Sequence, residues 1–262
     1  MSQFRKLALT KIATSAGIYL NKRAGRLAEL VKTYYDSGST GPITTEFRKK
    51  FLSMPPGPER EKFVYNEIIK RPPPKLVPIT KKLSDGATIS YDVMPDYITI
   101  DGVRVTMSGT TAMNVARHFG LSLPTASVSK QIWEAADIKG RAQPLSAGGK
   151  IGDKYYSGSQ IVGRKMMDSD AAVAYSDKNN EWINKEKSKF QGTEPIIAGH
   201  MKDINISEGD KLYFSGWYGA DGEPLQPAGT AHEISYVDYS HGTRLVSPTA
   251  KITHPDGTTE TK

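Results

Sequence analysis

The chain has 262 residues, carries a formal net charge of +7 and contains no cysteine. That length can bury a sizeable core without staples, and the missing thiols exclude cysteine nucleophiles, disulfide frameworks and thiolate zinc sites. No run approaches the roughly 18 consecutive apolar residues that a spanning helix needs. The apolar stretch after Phe4-Arg5-Lys6 is interrupted at Lys11, which argues against a cleaved signal peptide and for a mature chain starting at Met1. Cytoplasm, virion and cell exterior all stay open as locations.

Charge is spread unevenly. Residues 1–82 hold 17 Lys and Arg against 6 Asp and Glu, so the basic excess lies in the first third. Such a surface suits an acidic polymer, nucleic acid or another subunit, and it equally suits a solvated helical face. Within it, Leu20, Ala24, Leu27, Val31 and Tyr34 recur at helical intervals, with Lys22, Arg23 and Arg26 on the flank. A second helix is expected from Thr44 or Thr45 through Phe47, Phe51 and Leu52. A third carries Phe63, Val64, Ile68 and Ile69 and stops at Pro72-Pro73-Pro74.

The period then changes. Thr88–Val93 and Tyr97–Thr106 alternate as strands do, with Asp101-Gly102 as a hairpin turn. Helices are expected from Thr110 to Phe119, ended by Gly120, and after Leu123-Pro124-Thr125 through Val128, Ile132 and Trp133. Residues 139–195 read as extended loops bordering a cleft, with one helix near 180–189. Strands return at 195–198, 211–218, 233–237 and 243–246, before a frayed polar tail from 253.

Candidate chemistry gathers late in the chain. His200 lies in Gly199-His200-Met201-Lys202-Asp203, His232 in Thr230-Ala231-His232-Glu233, and His241 in Tyr236-Val237-Asp238-Tyr239-Ser240-His241-Gly242. Imidazole accepts and returns protons near neutrality, and a carboxylate orients it, a role open to Asp203 or Asp238. Ser240 is a nucleophile only if a histidine other than its neighbour reaches it. On a regular strand it shares a face with Asp238 and Tyr236, away from His241. His200, Asp203, His232 and His241 also supply enough nitrogen and oxygen for zinc, without a recognised spacing, so metal and cofactor stay unassigned. His118 reads as structural and His254 as a tail residue. Trp217, Tyr218, Tyr236 and Tyr239 read as sheet residues or as a ligand-facing aromatic group.

Two resemblances rest on these residues. Met94-Pro95-Asp96-Tyr97, Leu123-Pro124-Thr125, Gly199–Asp203, Gly216-Trp217-Tyr218, Gln226-Pro227 and Tyr236–Val246 resemble a family of uncharacterised bacterial proteins over about residues 60–247. Where that family has Gly-Trp-His, this chain has Tyr218. Separately, Leu123-Pro124-Thr125, Ile132–Ala136 and Gly242–Val246 are similar to the C-type-lectin-like fold of formylglycine-generating enzymes. This chain lacks that family's thiols, so only the scaffold, a binding module, is implied.

Together these observations predict an α+β protein: a basic helical segment over 1–75, a mainly antiparallel α+β domain over 76–252 and a tail over 253–262. The expected activity is hydrolysis of a cell-wall or extracellular polymer in a phage or bacterial envelope setting. His200, Asp203, Asp238, Ser240 and His241 form the catalytic set, with Lys202, Trp217, Tyr236 and Arg244 holding substrate. The alternative is a non-enzymatic structural or receptor-binding module of a virion or cell surface. Expected partners are a polymer or protein ligand, and a homo-oligomer or virion assembly through the basic helices. Nucleic acid has only charge in its favour.

Overall fold

The computed structural model describes residues 45–143, 149–151, 154–156, 168–191, 194–206, 212–219, 221–229 and 233–262. The chain divides into two units, Met1–Thr45 with Gly152–Lys154 and Glu46–Ile151 with Tyr155–Lys262. The second unit holds every helix and every strand described below. The helical stripe expected at 20–34 and His232 lie outside the described residues.

Helix α1 (Glu46–Ser53) places Phe47 and Phe51 one turn apart, so both rings lie on one face, 5.6 Å apart and stacked. Helix α2 (Pro58–Ile69) starts with proline in its first turn and Glu59 and Glu61 beside it, where acidic charge suits the helix dipole. Its Val64 and Ile68 are buried, and Phe63 stacks on Phe47 at 5.5 Å. Phe47, Phe51, Val64 and Ile68 share one core with Val105, Met107, Val115 and Leu245. The expected boundary at residue 75 falls inside the second unit, where α1 and α2 share a core with the elements that follow.

Strands β1 (Val77–Lys82) and β2 (Thr88–Val93) pair antiparallel, Val77 opposite Val93. Strands β3 (Thr99–Ile100) and β4 (Val103–Arg104) form a hairpin. Its turn residues Asp101 and Gly102 have φ of 51° and 77°, the left-handed pair that a two-residue hairpin turn favours. Helix α3 (Gly109–His118) is capped by Ser108, whose side chain accepts from Thr111 N–H, and α4 (Ala126–Ala135) is capped in the same way by Thr125.

The expected loop at 139–195 is corrected in its second half. Helix α5 spans Ser169–Lys187, 19 residues, and puts Ala171, Ala172, Tyr175, Asn179 and Ile183 inside. Polar residues on its buried face hide the period: Asn179 is buried because its amide donates to the Tyr175 carbonyl at 2.8 Å.

Strand β5 (Ile138–Lys139) pairs parallel with β6 (Ile197–Ala198). The remaining sheet has β7 (Lys202–Ile206), β8 (Leu212–Tyr218), β9 (Pro224–Gly229) and β10 (His241–Gly242) in the order β9-β8-β7-β10, with β10 parallel to β7. Residues 233–240 are turns and irregular chain rather than a strand, only His241 and Gly242 join the ladder, and the strand expected at 243–246 is reduced to isolated bridges at Val246. The tail is also corrected. Strands β11 (Lys251–Thr253) and β12 (Thr259–Thr261) form a hairpin that extends the first sheet in the order β1-β2-β11-β12. Backbone pairing builds it, so a polar sequence does not prevent it.

The protein is α+β, and among the described residues no helix is long and apolar enough to cross a membrane. Phe51 is fully buried in the main core. Phe51→Ala should therefore cost about 3–5 kcal/mol in urea unfolding. A cost near zero would show that α1 is a dispensable arm after all.

Candidate functional site

Strand alternation sorts the candidate residues into two groups. On β7, Asp203 and Asn205 project to one face, and Lys202 and Ile204 to the other. Asn205 donates to Ser129 Oγ of α4 at 2.7 Å, while Ile204 enters the main core with Phe214 and Trp217.

The Lys202 side gathers Asp238, Ser240, His241, Trp217 and Tyr236. Asp238 is its hub. Lys202 Nζ lies 3.2 Å from Oδ2, His241 Nε2 lies 3.5 Å from the same oxygen, and Ser240 donates both its N–H, at 2.7 Å, and its hydroxyl to Oδ1. His241 Nδ1 accepts from the Asp238 backbone N–H at 3.4 Å. A neutral ring that accepts at Nδ1 carries its proton on Nε2, the atom facing the carboxylate. Phe214 stacks on the His241 ring at 4.0 Å, Tyr236 meets it edge-on at 5.6 Å, and Lys202 Nζ lies 4.7 Å from the centre of Trp217. Burial alone would raise the Asp238 carboxyl, but His241, Lys202 and Ser240 outweigh it and hold it below its ordinary range. The Ser240 proton is thus directed at a carboxylate rather than an imidazole, and both His241 nitrogens face groups of the same turn. That arrangement ties a loop together more directly than it activates a nucleophile.

The second group surrounds His200, which sits between β6 and β7 where Gly199 turns the chain at φ +96°. A Cβ on Gly199 would come within 2.6 Å of the Gly140 carbonyl oxygen, so the turn requires glycine. His200 is 0 % exposed, with Tyr97 and Trp182 edge-on at 5.1 and 5.7 Å. Among the described residues neither ring nitrogen has a hydrogen-bond partner, and Nε2 stands 3.8 Å from Asp96 Oδ1. Arg104 grips Asp96 at 2.7 Å and donates to Asn180 Oδ1 at 2.6 Å. Burial, then the Arg104 charge, push the His200 imidazole well below its usual pKa, so it is neutral near pH 7.

Arg244 closes this group from behind. Its guanidinium donates to the Met94 carbonyl at 2.6 Å and to the Ile197 carbonyl, and lies 4.4 Å from the centre of the Tyr97 ring. Burial raises the Asp203 carboxyl to about 6, against the pull of Arg244 and hydrogen bonds from Tyr97 and Ser129. Tyr175 joins the two groups: its hydroxyl donates to the His200 carbonyl and accepts from Trp217 Nε1 at 2.9 Å.

Asp96, Tyr97 and Arg104 also line a cavity of about 460 Å³ with Met94, Asn180 and Lys187. Asp96 stands in the Met94-Pro95-Asp96-Tyr97 motif, a signal present in the sequence. Arg104, Tyr175 and Trp182 carry none, being single polar or aromatic residues within ordinary strand and helix patterns. Among the described residues, no three His, Asp or Glu side chains come together as a metal site would need. Compared with known protein families, curated proteins and solved structures, the chain matches none.

The two buried groups titrate with opposite signs. His200 resists protonation when folded but not when unfolded, so it removes stability as pH falls below about 6.5. Asp203 is protonated more readily when folded, up to about 6, so it adds stability as pH falls from there towards about 4. Relative to wild type, His200→Phe should gain stability, and Asp203→Asn lose it, as pH falls from about 6.5 to about 4.5. Each limiting slope is about 1.4 kcal/mol per pH unit. Parallel melting-temperature profiles for the two variants would contradict both assignments.

Proposed function

We propose that this protein is a hydrolase of a cell-wall or extracellular polymer whose proton chemistry is carried by His200 and Asp96. The observation that supports this reading is the state of His200: a neutral imidazole whose nitrogens have no hydrogen-bond partner among the described residues, set against a carboxylate that lines a cavity. A base needs an available lone pair, and His200 has one where His241 does not. Asp96 is the orienting carboxylate, in place of Asp203 or Asp238, and Arg104 supplies positive charge for an oxyanion. A cavity of about 460 Å³ falls in the size range of ligand sites. Asp203 and Arg244 support Tyr97 from beneath. Lys202, Asp238, Ser240 and His241 fix the loop that enters β10.

Release of soluble fragments from purified cell walls tests the proposal. His200→Ala and Asp96→Asn should each lower the rate by about 10²–10⁴-fold. Melting temperatures should fall by only a few degrees. His241→Ala should instead lower the melting temperature and leave the rate per folded molecule nearly unchanged. Wild-type protein that releases nothing, or a His200→Ala variant at full rate, would sink the proposal.

One observation favours the non-enzymatic module instead. His200, Asp203, Asp238, Ser240 and His241 are all buried, so a ligand meets the cavity rim before any of them. That module would co-sediment with walls without cutting them, equally well with Asp96→Asn.

A further inference from the structure

Lys202 and Asp238 face each other inside the protein. The lysine side chain is 10 % exposed and the aspartate 2 %, with Nζ 3.2 Å from Oδ2. Around them stand Trp217, under the ammonium, and the His241 ring with Phe214 stacked on it and Tyr236 at its edge. Holding two opposite charges there costs the hydration of both. Condensation of the two would start from the minor form of the pair, in which one proton has passed from the ammonium to the carboxylate and a neutral amine faces a neutral acid, so it would be slow.

The other contacts of Asp238 are those that acyl transfer requires. Ser240 aims its N–H and its hydroxyl at Oδ1, the oxygen on which negative charge develops when Cγ becomes tetrahedral. His241 Nε2, which carries the ring proton, lies 3.5 Å from Oδ2, the oxygen that would leave.

We infer that Lys202 and Asp238 condense into an intramolecular amide. Neutral Nζ attacks Cγ of the protonated carboxyl. The Nζ–Cγ bond forms and the Cγ–Oδ2 bond breaks. Oδ2 departs as water, keeping its own proton and gaining one from the nitrogen by way of His241. No oxidant or cofactor takes part, and neither His200 nor Asp96 is involved. The link fastens β7 to the turn before β10, where ladder pairing covers only two residue pairs, His241 with Lys202 and Gly242 with Asp203. In a chain without cysteine it takes the place a disulfide would otherwise have.

Intact-mass measurement of the denatured full-length protein tests this. Wild type should be lighter than its sequence by one water, and Lys202→Met should show its full sequence mass. A proteolytic digest of wild type should give one branched peptide joining the Lys202 and Asp238 segments. Ser240→Ala should slow the loss of water in freshly made protein. Wild type at full sequence mass after prolonged incubation overturns the inference. So does a loss of water without the branched peptide, as cyclisation at Asp101-Gly102 would give.

Discussion

Burying the Arg244 guanidinium completely removes a cation from water, which costs several kcal/mol unless other groups replace its hydration. The replacements are the Met94 and Ile197 carbonyls, the Tyr97 ring face and the charge of Asp203, with Nε left without a hydrogen-bond partner among the described residues. They come from two segments far apart in sequence, residues 94–97 and 197–203, so satisfying one side chain fixes the spacing of both against the segment that carries it. The backbone conforms to it: Met94 N–H donates to Leu245 at 3.0 Å and Ile98 N–H to Thr243 at 2.9 Å, pinning the segment after β10 against the entry to the β3–β4 hairpin. Asp96 and Tyr97 lie between those two bonds. The candidate site is therefore held in place by Arg244 without containing it.

From there the alternation of β7 decides what each polar residue can do. Asp203 and Lys202 are neighbours in sequence and belong to different environments. One shares hydrogen bonds with Tyr97 and α4, the other an ion pair with the turn before β10. A set of His, Asp and Ser that reads as one cluster along the chain becomes two in space. Tyr175 bridges them by hydrogen bonds, through Trp217 on one side and the His200 carbonyl on the other. Its hydroxyl makes both bonds at once, so a shift of Trp217 is felt at the backbone of His200.

Legibility in the sequence tracks the range of the interactions involved. Caps and turns are local, and Thr125, Asp101-Gly102 and Gly120 are readable because a few residues determine each. The pairing of His200 with Asp96 spans more than a hundred residues of chain and depends on Arg244, so no window of sequence contains it. The stretch 236–240 misleads for the opposite reason. Its alternation imitates a strand, while Ser240 N–H bonding to the Asp238 side chain turns the backbone instead. The β11–β12 hairpin escapes a reading of apolar periodicity because backbone pairing, not apolar burial, makes it.

The backbone at Gly216 and Trp217 shows where the sheet gives up regularity for placement. Both residues are left-handed, at φ 92° and 58°, and the register between β8 and β9 shifts between Phe214 and Gly216. For tryptophan that conformation costs of order 1–3 kcal/mol, so surrounding contacts must impose it. They are identifiable: Nε1 donates to Tyr175, the ring carries the Lys202 ammonium, and Tyr218 stacks on Trp133 at 4.1 Å just beyond. A Cβ on Gly216 would stand 3.2 Å from Asp203 Oδ2, so the same bend makes room for the buried carboxyl. One local distortion of β8 thus serves both polar groups, giving Lys202 its aromatic floor and Asp203 its space. Straightening it would put a regular strand residue where the indole now reaches Tyr175, and would separate the two groups that the Tyr175 hydroxyl joins.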